Sequence, residues 1–161
     1  MKSILLVASL FIGSLTFSQV NPHAIGARLG GSHFGHYGGE LSYQHGFGDA
    51  NRLELGVGWR NHKDWSRLGV AIVYHWVWNL TDGLNWYVGP GGTVSLYNGK
   101  DNNSDGFGVS LGGQIGLEYD FNTADVPLLL SLDARPMWNF IGSNGYGGFG
   151  YGAALGIRYT F

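Results

Sequence analysis

The feature that most limits what this chain can become is a two-residue period running through nearly all of it. From about residue 20 onward, apolar residues alternate with small or polar ones. Strict alternation belongs to strands whose two faces meet different surroundings. One segment sets Leu68, Val70, Ile72, Tyr74, Trp76 and Trp78 against Gly69, Ala71, Val73, His75 and Val77. Another sets Phe107, Val109, Leu111, Ile115, Leu117 and Tyr119 against Gly108, Ser110, Gly112, Gln114, Gly116 and Glu118. A third sets Leu53, Leu55, Val57 and Trp59 against Glu54, Gly56, Gly58 and Arg60. The chain closes on "YGAALGIRYTF", where the alternation ends in Phe161. The pattern predicts eight strands, over 24–31, 39–47, 52–60, 67–78, 84–96, 107–119, 126–140 and 148–161.

The less apolar face decides the class. A soluble barrel points its large apolar side chains inward and covers its surface with Lys and Glu. Here charged residues are only 12% of the chain, and there are 29 glycines in 161 residues. A face of glycine, serine and a few charges suits a narrow interior, so the apolar face must look outward, toward lipid. A bilayer admits only helices or closed barrels, because every backbone polar group must pair internally. The segments have the length of transmembrane barrel strands, roughly 9–11 residues. The expected fold is therefore all-β: an eight-stranded antiparallel up-and-down transmembrane barrel.

The connections agree. "GDAN", "NLTDG" and "DFNTAD" are short, whereas "SHFGHY", "NHKDWS", "NGKDNNSDG" and "IGSNGYGG" are modestly longer. Short turns alternating with longer loops is the pattern of such barrels. Aromatic residues fall into two expected belts, since Trp and Tyr favour membrane interfaces. Phe47, Trp76, Trp78, Trp86, Tyr119, Phe121, Tyr159 and Phe161 form one, and Trp59, Tyr97, Phe107, Trp138, Phe149 and Tyr151 the other. Two prolines interrupt the pattern. Pro90 is expected to sit at a bulge over Gly89–Gly92, and Pro136 near the outer rim.

The first residues read as an export signal: Lys2, the apolar run "ILLVASLFIG", then Thr16 and Ser18 as small residues spaced for cleavage. This divides the chain into a signal peptide, 1–18, and a barrel domain, 19–161, with no length left for an N-terminal plug. Both termini of the barrel are expected in the periplasm.

An export signal, eight alternating strands, aromatic belts and a C-terminal strand ending on Tyr159 and Phe161 together resemble the small OmpA/OmpX-like outer-membrane barrels of Gram-negative bacteria. No residue-level motif ties the chain to one family. The resemblance implies location in the outer membrane. It also implies insertion by the barrel-assembly machinery, which reads the last strand, with Tyr159 and Phe161 as its signal. Outer-membrane lipid is the surrounding partner.

The inward face should hold Arg28, Glu40, Glu54, Glu118, Asp133, Arg135 and Arg158, which must pair because isolated buried charge is costly. Inward glycines such as Gly112, Gly116, Gly152 and Gly156 could leave a cavity or make room for long arginines. Asp101, Asn103, Asp105 and Gly106 begin like a calcium loop, but the position that should be Glu is Gly112. His33, His36 and Glu40 lack a fourth ligand. No metal or cofactor is assigned. Some barrels of this class are lipid A-modifying enzymes, whose deacylase type carries a serine two residues after its histidine. Here those positions are Ile25, Gly35, Gly38, Phe47, Asp64 and Val77, and the Asp-Ser pair of the palmitoyltransferase type does not occur.

With no cysteine, thiol chemistry and disulfides are excluded. With nine Lys and Arg and a net charge of −2, nothing points to nucleic acid. The sequence favours a non-catalytic structural role in the outer membrane, alone or as a subunit with an outer-membrane protein partner. The stretch Ala24–Gly31 is the expected contact. A narrow pore for small solutes and a small adhesin- or receptor-like surface barrel are the alternatives.

Overall fold

The computed structural model describes residues 16–17, 20–32, 37–61, 65–99, 106–141 and 148–161. A two-residue strand, β1 (Thr16–Phe17), precedes eight long ones. These are β2 (His23–Ser32), β3 (Tyr37–Phe47), β4 (Asn51–Asn61), β5 (Trp65–Thr81), β6 (Leu84–Gly99), β7 (Gly106–Asp120), β8 (Leu128–Ile141) and β9 (Gly148–Thr160). Each long strand pairs antiparallel with its sequence neighbour, and β2 pairs with β9, so the sheet closes into an up-and-down barrel with no free edge. Closure pairs the backbone groups internally, as a membrane requires.

One end of the barrel is built from tight turns. Gly48 and Gly83 take φ of 69° and 74° at the β3–β4 and β5–β6 turns, a region that favours glycine. A short 3₁₀ helix, Phe121–Ala124, joins β7 to β8. The Asn122 N–H donates to Asp120 Oδ1 at its start. The segments 33–36, 62–64, 100–105 and 142–147 connect strands at the opposite, loop end.

Side-chain direction follows the alternation. Leu29 and Leu41, on the outer wall, are 69% and 70% exposed, whereas Glu54 and Arg158, on the inner face, are 1% exposed. Leu55, Val57, Leu68, Val70, Ile72, Leu111, Ile115, Leu117, Leu132, Leu155 and Ile157 continue the exposed apolar wall. An apolar band around the whole circumference is unsuited to water and suited to the hydrocarbon core of a bilayer.

The structure corrects four expectations. The β5–β6 register does not shift at Gly89–Gly92, so there is no bulge there. The ladder skips Tyr74 and His75, between Val73↔Gly91 and Trp76↔Val88, and resumes in register. Pro90 has no N–H to offer β5 but still faces Gly113 on β7. The ladder at Pro136 skips in the same way toward β7, while Pro136 keeps Tyr151 as its partner on β9. The second correction concerns Tyr97. It shares parity with Ser95, which is buried, and it lies under the Arg67 guanidinium, 4.9 Å from its ring centroid, so it belongs to the interior. The third concerns the turn end, where Val20 tucks inward from the segment before β2. Val20 is 9% exposed, clusters with Val77 and Tyr87, and donates its N–H to the Asp49 carbonyl at 2.9 Å. Finally, Ala24–Gly31 is not short of apolar bulk outside, because Ile25 and Leu29 are exposed there. Two rows of the outer wall are flat: Pro90, Gly113 and Pro136, and Gly31, Ala153 and Ala134.

Candidate functional site

The interior is a ladder of ion pairs assembled from every side of the barrel. Arg28 faces Glu40 directly across β2–β3 and bonds it at 2.5 Å. It also engages the Asp133 carboxylate with two nitrogens, and its Nε lies 3.7 Å from Glu54. Glu54 is the hub. It accepts from Arg135 at 3.2 Å, from Arg158 at 3.0 Å and from Gln44 at 2.7 Å. Arg135 also reaches Glu40 at 2.9 Å and Gln114 at 3.0 Å, and Arg158 bonds Ser42 and Ser131. Below this tier, toward the turn end, Arg52 bonds Glu118 at 2.7 Å, donates from Nε to His75 Nδ1 at 3.3 Å and lies over the Tyr87 ring. The Tyr87 hydroxyl donates to Asp133 at 3.1 Å, which ties the two tiers together.

All seven lumen charges named from the sequence lie in this interior, and six of them form one connected cluster around Glu54. Glu118 sits apart, with Arg52. Sequence reasoning missed Arg52, His75 and Tyr87. Arg52 has the parity of Glu54, so the signal was present at the strand's first turn. With Arg52 included, four arginines meet Glu40, Glu54, Glu118 and Asp133, and the paired set is neutral. Neutrality is what a low-dielectric interior demands of buried ions.

The glycines explain how long side chains fit. Arg28 faces Gly156 across one ladder, Arg158 faces Gly26, Asp133 faces Gly116, Glu40 faces Gly58 and Arg135 faces Gly152. A Cβ added at Gly116 would lie 2.5 Å from the Tyr87 ring, and one at Gly156 would lie 2.4 Å from Ser131 Oγ. Eight strands leave an interior only wide enough for side chains, so bulk on one strand requires its absence on the next.

Above the ion pairs the barrel opens into a cup of about 170 Å³ at the loop end. Its wall includes Gly30, Gly58, Gly69, Ala71, Gly152 and Ala154, and its floor is Arg28, Glu40 and Arg135. Among the described residues, five buried polar atoms have no protein partner: Arg52 Nη2, His75 Nε2, Ser95 Oγ, Gln114 Nε2 and Glu118 Oε2. Three of them belong to the Arg52 tier.

The aromatic residues are distributed over both ends. Trp59 and Trp138 are exposed in the loop-end half, and Trp76, Tyr119, Tyr159 and Phe161 in the turn-end half. Trp78 and Trp86 stack face to face at 4.6 Å on the protruding β5–β6 hairpin. The residues 101–105 of the calcium-like loop, and His33 and His36, lie outside the described residues.

No protein-family model matches the chain, and no curated protein matches its sequence significantly. Solved structures do match its fold. Neisserial surface protein A is 19% identical, with a TM-score of 0.59 over 86% of this chain and 95% of that one. The N-terminal β-barrel domain of Pseudomonas aeruginosa OprF is 20% identical, with a TM-score of 0.58 over 86% and 96%. The outer membrane enzyme PagL is 11% identical, with a TM-score of 0.56 over 86% and 99%. A surface protein, a domain of a larger protein and an enzyme thus share this architecture, and function has to be argued from the site. The chain has the fold of the small eight-stranded outer-membrane barrels.

Proposed function

We propose that this protein is a non-catalytic integral barrel of the bacterial outer membrane whose lumen is closed, and that its role is structural, as one subunit beside another outer-membrane protein. One observation carries the closed lumen: four arginines and four carboxylates pair with one another across the interior. A conducting path needs mobile water and sites an ion can leave, whereas each of these eight charges is held by at least one fixed partner. Val20 beneath the Arg52 tier supports the same reading.

Among the described residues, the non-catalytic reading is supported by the company the histidines keep. His75 contacts Arg52 and Tyr87, and His23 and His45 contact each other and Tyr43, with no serine among these contacts. Location in the outer membrane, a cleaved leader over 1–18 and periplasmic termini rest on the sequence pattern and on the kinship of fold. A partner subunit is favoured by the flat row Pro90–Gly113–Pro136, where another wall could approach the backbone closely.

Reconstitution in planar bilayers tests the closed lumen. Discrete current steps from the purified barrel would overturn it in favour of the narrow pore. Intact mass of the particle drawn from native membranes in mild detergent tests the partner: a second protein in fixed ratio is expected, and a lone barrel would remove that part of the proposal.

A further inference from the structure

A second cluster of polar side chains lies on the outer wall at the turn end. His23 on β2 and His45 on β3 are direct cross-strand partners. The Gly46 N–H donates to the Pro22 carbonyl at 2.9 Å, so His23 and His45 form a non-hydrogen-bonded pair, the arrangement that brings side chains closest. Their Nδ1 atoms are 3.3 Å apart, and Tyr43 Oη lies 2.8 Å from His23 Nδ1.

Hydrogen bonding alone would have to share one ring atom between two partners. His23 Nδ1 offers either one hydrogen or one lone pair, yet it meets two polar neighbours. A divalent cation between the two imidazoles resolves the conflict by accepting a lone pair from each. Two nitrogens about 2.1 Å from zinc at a tetrahedral angle stand roughly 3.4 Å apart, which matches the spacing already present. The rings are held in place from both sides. His23 stacks on Phe161 at 5.4 Å, and His45 packs edge-on against Phe47 at 4.8 Å. Both histidines are half-buried, so the pair is accessible from the aqueous edge of the membrane.

We infer that His23 and His45 form a binding site for a borderline divalent cation of the zinc, copper and nickel class, with Tyr43 Oη as an adjacent oxygen donor and water completing the shell. Imidazole is the ligand these ions prefer over calcium or magnesium. The site joins the start of β2 to the end of β3, beside the point where the Phe161 N–H donates to the His23 carbonyl at 3.0 Å. Occupancy would therefore brace the seam at which the first and last long strands meet.

The test is calorimetric titration of the folded, tag-free barrel in detergent with zinc chloride in a non-chelating buffer. One zinc per barrel is expected, and His23→Asn and His45→Asn should each weaken binding at least tenfold. Tyr43→Phe should weaken it less than either. Zinc should also raise the temperature at which the barrel loses its compact gel mobility, in the parent and not in the two histidine variants. The same mobility reports whether each variant is folded. Absence of binding, or binding unchanged in both histidine variants, overturns the assignment, and the latter would move it to histidines elsewhere in the chain.

Discussion

The two halves of the lumen are built on opposite plans. The half nearer the turns is filled: Arg52, Arg158, Tyr87, His75, Gln44, Gln114 and Glu54 are among its fully buried side chains. The half nearer the loops has a wall rich in glycine and alanine, with Arg67, Met137 and Asn139 among them, around a cup of about 170 Å³. Both halves belong to one barrel of one strand number, so the difference lies entirely in which residues point inward. One half is filled with paired charge and the other stays open. The floor of the cup is the Arg28, Glu40 and Arg135 network.

The comparison can be broken most severely at Glu54. Glu54→Ala takes one shared acceptor from Arg135 and Arg158 and the near charge from Arg28. Loss of one partner from a buried ion pair costs about 3–5 kcal/mol. Urea unfolding of the barrel in lipid vesicles should show a shift of that size or failure to assemble. A change below about 1 kcal/mol would mean that the turn-side half is far wetter than its packing implies.

Next comes the wall itself. Leu111→Arg puts a cation on the lipid face and should cost roughly 2–4 kcal/mol by the same assay. The alternation alone makes the neighbouring inward change, Gln114→Arg, look milder unless the lumen is full. The structure fills that condition: Gln114 is 1% exposed and already accepts from Arg135. Gln114→Arg should therefore also destabilise, by overpacking and by adding an unpaired charge. A neutral Gln114→Arg would place the open cup deeper than it lies here.

The smallest contrast is the sharpest. Gly116→Ala must push against the Tyr87 ring and Asp133, and overpacking of this kind costs about 1–3 kcal/mol. Gly69→Ala, on the cup wall, meets only ordinary contacts at 3.5 Å or more and should stay within about 0.5 kcal/mol. Equal effects at both positions would erase the distinction between the halves.

Much of this was legible from residues alone, and particular residues show where legibility stopped. Parity placed Arg28, Glu40, Glu54, Glu118, Asp133, Arg135 and Arg158 inside, because a strand sends alternate side chains to opposite faces. The same parity was available for Arg52, Tyr87 and Tyr97. Arg52 lies at the edge of its segment, where the alternation is only beginning, and Tyr97 reads as a membrane aromatic unless Ser95 two residues earlier is used to mark its side as inward. Pro90 reads as a bulge, because sequence reveals the missing donor but not whether the neighbouring register absorbs it.

Sequence by itself determined that this chain forms eight amphipathic strands with lipid outside and charge within. Period, strand length and the scarcity of surface charge leave no other arrangement in which both faces are satisfied. Only the tertiary structure decided which charges meet. Arg28, Arg135 and Arg158 converge on Glu54 from β2, β8 and β9. Closure of the ring and the stagger between its strands set which inward residues share a level. That level is a property of the closed sheet as a whole. The same closure turned a scattering of inward glycines into the sockets for three arginines on one side and an open cup on the other.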